Sequence, residues 1–257
     1  MSSTRICLAV GVAGIAVLVS PVRASAGTPD PSAVLGKALV QGRGVTFTET
    51  EKSWIGDDRS DPTIFRTSGV VAFGKGRLTG ASIKRVTKSG KTFRFLIAGG
   101  KTYARGGLWS DALPAGKSWA YSPDLAMRPY QASGQSIDVF DPAALRVVYA
   151  TRSGQAMRQK VKGVAATRYS GIVTAKALCA VAAACREEFG KSSPVKIGWS
   201  LWVDGHGRIV RLTTQWARKP DRDKRVIGGG GQTDTYYARW GARVVVKAPP
   251  PAQVDAG

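Results

Sequence analysis

The chain has 257 residues, 43% of them hydrophobic and 21% charged, with 38 Lys and Arg against 17 Asp and Glu for a formal net charge of +21. That apolar share suits a folded core and excludes a disordered or collagen-like chain. A single histidine, three cysteines and three methionines leave no His/Cys-rich zinc site and almost no imidazole for acid-base work. No metal or other cofactor is expected, and most familiar hydrolase mechanisms are disfavoured.

At the start, Arg5 precedes an apolar run from Ile6 to Val19, followed by the small-residue triplet Ala24-Ser25-Ala26. This pattern predicts a secretory signal peptide over residues 1–26, because the run is shorter than the roughly 20 residues that a membrane-spanning helix needs. No cysteine stands after the cleavage point to take an acyl chain, so the exported chain is expected in the cell envelope or outside it, not lipid-anchored. Residues 1–26 hold Arg5 and Arg23 and no acid, so what remains is still strongly basic. Outside the cytoplasm, membrane head groups and anionic wall polymers are the polyanions such a charge meets, rather than nucleic acid. The bases are dispersed (Lys84, Arg85, Lys88, Lys91, Arg94, Arg158, Lys160, Lys162), which argues against a dedicated nucleic-acid groove and leaves open a merely solvated arginine-rich face.

Residues 31–40 place Val34, Leu35, Ala38 and Leu39 near helical spacing after Pro31, a short amphipathic helix. Strands follow over 46–50, 65–73, 78–86 and 91–97, joined at Gly74-Lys75-Gly76, Ser89-Gly90 and Gly99-Gly100. In the last of these strands Phe93, Phe95 and Ile97 share a face, which predicts a one-sided antiparallel sheet. Residues 122–135 read as irregular. Asp141 caps a second helix over 143–149, strands resume over 157–161 and 165–174, and an alanine-rich third helix covers 175–189. Strands over 195–203, 208–216 and 233–246 close the pattern. Within the first of these, Ile197, Trp199, Leu201 and Val203 lie on one face and Trp202 on the other. Residues 218–225 and the glycine run 228–231 predict an exposed mobile connection. No break separates two complete blocks, so one α+β domain is expected over 27–247, with a Pro-rich flexible tail over 248–257.

Candidate chemistry is sparse. His206 sits between glycines in an apparent hairpin turn and reads as a solvent-exposed turn residue. Glu49 with Glu51, Asp57 with Asp58 and Glu187 with Glu188 are acid pairs that a glycosidase could use across a cleft, yet each is more simply a solvated charge or a cap. Cys179 and Cys185 are candidates for a disulfide in an oxidising compartment. Six helical residues rise roughly 9 Å, beyond the approximately 7 Å Cα limit for a bridge. A bridge therefore requires the helix to break near 180–184. The seven tryptophans fall in or beside strands, where core packing and the lining of a ligand pocket are both open.

Several strings, in order, resemble the LolA-like superfamily, in particular the actinobacterial envelope lipid-binding proteins. They are Gly99 to Tyr103 with Gly116 to Trp119, Asp141 to Leu145, Val161 to Gly171, Trp202 to Arg211, and Val244 to Pro250. The resemblance spans residues 30–250 and implies a curved antiparallel β half-barrel with helices covering its concave face, a hydrophobic cavity for acyl chains between them, and no catalysis. The acylation cysteine of the best-known members is missing here. Burial at roughly 0.8 kcal/mol per CH₂ would extract an acyl chain without a cofactor, and surrounding bases would hold its head group. Phe73, Phe95, Leu145, Val148 and Trp202 are the expected cavity residues.

The leading expectation is therefore a non-enzymatic, monomeric carrier of a lipid or other amphiphile. The alternative is an envelope interaction or sensor module that docks an anionic polymer or a partner protein. A secreted hydrolase stands third and requires His206 or a pair of acids to converge in a cleft.

Overall fold

The computed structural model describes residues 29–56, 58–121, 123, 127, 133–219 and 228–255. The leader expected over 1–26, Asp57, and most of the connections expected over 122–135 and 218–225 lie outside them.

The chain opens with α1 (Pro31–Ala38), which Asp30 caps by accepting the Ser32 N–H at 2.9 Å. Five strands follow: β1 (Arg43–Ile55), β2 (Thr63–Gly74), β3 (Arg77–Thr87), β4 (Thr92–Ala98) and β5 (Lys101–Arg105). The short α2 (Leu108–Asp111) leads to β6 (Trp119–Tyr121). Next comes α3 (Pro142–Ala150), whose N-cap Asp141 accepts the Ala143 and Ala144 N–H groups at 2.8 and 3.4 Å. The hairpin β7 (Arg152–Val161) and β8 (Val164–Thr174) runs into α4 (Ala175–Val181) and α5 (Ala183–Phe189). The chain ends with β9 (Lys196–Asp204), β10 (Ile209–Arg218), β11 (Gly229–Arg243) and β12 (Val254–Asp255).

All twelve strands form one sheet in the order β12-β6-β5-β4-β3-β2-β1-β11-β10-β9-β8-β7. Neighbours are antiparallel except β12 against β6. The ends of that order, β12 and β7, do not pair, so the sheet is an open half-barrel with a few helices rather than a closed barrel. The expected α+β class is the observed one.

Strict alternation divides the sheet into two faces. Val45 and Phe47 on β1 stand beside Val71 and Gly69 on β2, Ala81 and Ile83 on β3, and Ile97 and Phe95 on β4. On the other side of β1 the same face runs through Tyr237, Leu212, Leu201 and Trp199. The helices pack there: Leu35, Leu145, Val148, Leu178 and Phe189 share one buried cluster with these strand residues. Gly69 is required at its position, because a Cβ would come within 2.5 Å of the Ser82 carbonyl and 3.0 Å of the Phe47 ring.

Two expectations are corrected. The glycine run is no free linker: Gly229, Gly230 and Gly231 begin β11 and pair with Ile55, Trp54 and Ser53. A side chain at Gly230 would collide with the Trp54 ring and the Trp216 carbonyl, so tryptophan rings fill the space that glycine leaves. Nor does the Pro-rich end simply trail away. After a 3-10 turn over Pro251–Gln253, Val254 and Asp255 pair with Trp119 and Ala120. The Ser118 N–H donates to the Gln253 carbonyl at 2.9 Å.

Candidate functional site

Four of the five expected cavity residues fall on the helix-covered face. Leu145 and Val148, three apart on α3, turn the same side of that helix to the sheet and are fully buried. Phe73 lies near the end of β2, 6.1 Å from the Phe140 ring and 6.0 Å from the Trp240 ring. Phe95 differs from these three in being only half buried. Half-buried Phe93 stands on the same face of β4 and half-buried Phe65 on the same face of β2, with Arg85 of β3 between them, an interrupted aromatic strip. Trp202 is not among them. Leu201 and Val203 take the helix-covered side, so alternation sends the indole to the opposite face, into a separate cluster with Val161, Ala166 and Val210.

Beside the aromatic strip is a polar pocket of about 350 Å³ lined by Glu51, Arg85, Asp138, Glu187, Glu188 and residues 133–135. Arg85 joins the two regions: it sits opposite Phe93 in register, its guanidinium lies 5.1 Å from the Phe65 ring centre, and it is 3.6 Å from Glu51. The segment 133–136 is laced to the sheet. Glu49, 4% exposed, accepts the Gly134 N–H and the Thr235 hydroxyl, each at 2.7 Å. Gln135 donates to the Leu212 carbonyl at 3.1 Å and to Thr235 at 2.7 Å, and accepts from Thr214 at 2.8 Å. Ser136 donates to Glu188 at 3.1 Å.

Desolvation by burial pushes the Glu49, Asp138 and Glu188 carboxyls up to about 7, against the opposing pull of those hydrogen bonds and, at Asp138, of the Phe140 N–H at 2.8 Å. Burial also raises Glu51, with Arg85 acting the other way. These acids are therefore not the separate solvated charges that their sequence neighbourhoods suggest. Strand pairing and the α5 terminus bring them together from positions about 50 to 140 residues apart, which local spacing cannot signal. Among the described residues no group of three or more His, Cys, Asp or Glu is placed to hold a metal ion. His206 is exposed, and its N–H donates to the Asp204 carboxylate at 2.9 Å.

Cys179 and Cys185 are joined by a disulfide with their Cα atoms 4.8 Å apart. The helix breaks between them at Ala182, which adopts extended φ −101° and ψ 123°. That break shortens the six-residue separation enough for the bond.

The opposite face, free of helices except where the short α2 borders it through Ser110 and hereafter the helix-free face, is basic. Three adjoining hollows of about 950, 340 and 680 Å³ cross it and share Thr48, Ser68 and Lys84, then Thr50 and Asp234. At one end cations alternate with rings. Lys162 at the β7–β8 turn sits 3.8 Å from the Tyr236 ring centre, Arg211 lies 4.9 Å from Tyr236 and 4.5 Å from Trp202, and Arg168 lies 5.4 Å from Trp202.

Neither a protein-family model nor a curated protein matches the sequence. Among solved structures, the chain is similar to LprF from Mycobacterium bovis, at 16% identity over 86% of this chain and 97% of that one, with a TM-score of 0.42. It is also similar to a LolA superfamily protein from Nitrosomonas europaea, at 8% identity over 85% and 94% of the two chains, with a TM-score of 0.29. A third likeness is to the MucA/MucB complex of Pseudomonas aeruginosa, at 14% identity over 89% of this chain and 61% of that one, with a TM-score of 0.34. The fold itself is defined by the strand order. No helix of the described residues is long and apolar enough to cross a membrane.

Proposed function

We propose that the protein is an exported, non-enzymatic binding and carrier protein that holds an amphiphile between the sheet and its helix layer. The observation that supports this most directly is the half-buried strip Phe65, Phe93 and Phe95 adjoining a polar pocket through Arg85. Fully packed core aromatics have no surface left to bury, whereas half-buried ones gain roughly 25 cal/mol for every Å² of apolar area that an acyl chain removes from water. The pocket next to the strip has carboxyls on most sides and one guanidinium, so it suits a neutral hydroxylated or cationic head group better than a phosphate. This reverses the expectation that bases hold the head. Phe95 remains the residue proposed to meet the acyl chain, with Leu145, Val148 and Phe73 as the packed wall behind it, and Trp202 is withdrawn. The leader pattern supports an extracytoplasmic location.

Titration with a fluorescent long-chain acyl probe tests this reading. Phe95→Glu introduces a charge at a half-buried position that the fold can keep hydrated, and it should weaken probe binding at least tenfold while the thermal midpoint changes little. Unchanged binding in a folded Phe95→Glu protein would place the ligand elsewhere.

A further inference from the structure

We propose that the helix-free face of the sheet is a docking trough for a flexible, phosphate-rich polyanion, centred on Lys84, Arg94 and Arg105. These three bases stand directly opposite one another on β3, β4 and β5, Lys84 paired with Arg94 and Arg94 with Arg105. Adjacent strands are only about 4.8 Å apart, and like charges set directly opposite destabilise a sheet. Among the described residues no carboxylate comes within ion-pair distance of any of the three. A row of this kind persists at a cost to the free protein, and an anion lying along it removes the repulsion.

The surroundings fit a chain of anions. All three bases line the largest hollow, together with the hydroxyls of Thr48, Ser68 and Ser82. The hollow continues past Arg66 and Lys162 to Lys52 and Arg168. Asp234 is the one acid in this path whose side chain faces it, and Arg211 binds both of its oxygens at 2.8 Å. The result is a continuous positive path several strands wide, longer than a single head group would fill. The turn bearing Lys162 reaches over to Tyr236, and both line the hollow between the two larger ones. Of the rings along the path, Tyr236 is covered by Lys162 and Arg211, while Trp119 lines the largest hollow, so a single-stranded oligonucleotide is the control that separates phosphate recognition from base stacking. The proposal uses the face opposite the amphiphile site and does not depend on it.

Inorganic polyphosphate is the probe, with binding followed by fluorescence anisotropy at 50 and 200 mM salt. The expected result is saturable binding that weakens about tenfold or more over that salt range. It should weaken at least tenfold again in the double variant Arg94→Glu/Arg105→Glu, with no change in Lys37→Glu, which alters an exposed base on α1. Arg94→Gln relieves the repulsion, so it should keep or raise the thermal midpoint of the free protein while weakening binding. The double variant should still bind the acyl probe. Equal polyphosphate affinity in wild type and double variant would overturn the proposal. So would binding of a single-stranded oligonucleotide of matched phosphate number as tightly as polyphosphate, or binding to anionic phospholipid vesicles without binding to polyphosphate.

Discussion

Glu49 shows how one side chain can tie a loop to a sheet and make the whole fold sensitive to pH. Its two oxygens take the Gly134 N–H and the Thr235 hydroxyl inside a pocket edge that also contains Asp138 and Glu188. The folded carboxyls of Glu49, Asp138 and Glu188 release their protons at about 7, above the ordinary carboxylate range. Between about pH 4 and 7 the folded chain therefore holds protons that the unfolded chain has lost, and stability falls as pH rises through that window. Thermal melts should show a higher midpoint at pH 5 than at pH 7.5, and Glu49→Gln, which keeps an acceptor but cannot ionise, should flatten that difference. An equally steep profile in Glu49→Gln would remove Glu49 from this role. At this scale the sequence was only partly legible. The face of Trp202 followed from the alternation through Leu201 and Val203, but its grouping with Leu145 required knowing which face the helices cover. The convergence of Glu49, Glu51 and Glu188 depends on β-pairing and a loop path that leave no local pattern.

The paired helices α4 and α5 were more legible, because the six-residue cysteine spacing is incompatible with both a straight helix and a bridge. The observed break at Ala182 with a Cα separation of 4.8 Å resolves that conflict in favour of the bond. Cys185 is buried, and its neighbour Arg186 donates to the Cys179 carbonyl at 2.8 Å, so the bond fixes a turn beside the acidic pocket. Replacing both cysteines by alanine should cost about 2 kcal/mol for so small a loop. In a domain of this size that corresponds to a drop of roughly 4 to 8 °C in the thermal midpoint. A midpoint unmoved by the double replacement, or by reduction of the wild type, would show the bridge to be mechanically idle. Strand positions were legible wherever apolar and polar residues alternate, as from Thr92 to Ala98. Gly229 to Gly231 escaped because composition alone reads as a linker. Their strand role depends on the Trp54 ring, which lies far away in sequence, and on Trp216 across the β10–β11 hairpin. Val254 and Asp255 escaped for the same reason, since their partner β6 lies more than a hundred residues earlier.

For the whole molecule, the sheet separates two chemistries that composition blends into a single number. The excess of +21 is uneven: uncompensated bases line the helix-free face, while buried acids gather under the helices beside Phe65, Phe93 and Phe95. An amphiphile reading places the apolar chain on the aromatic strip and its uncharged or cationic head among the carboxyls, leaving the opposite face free for an anionic chain. The overall class could be read from the order of helical and alternating segments, because an open antiparallel sheet is built mostly from neighbours in sequence. The division of charge between faces could not, because it is set by register. The most direct test of the central claim is native mass spectrometry of the full chain secreted from an exporting host, with a solvent extract analysed in parallel. The account predicts a bound species, released on denaturation, that contains a long acyl chain and a head group without phosphate. A protein that emerges at its bare mass and takes up no added amphiphile would contradict it.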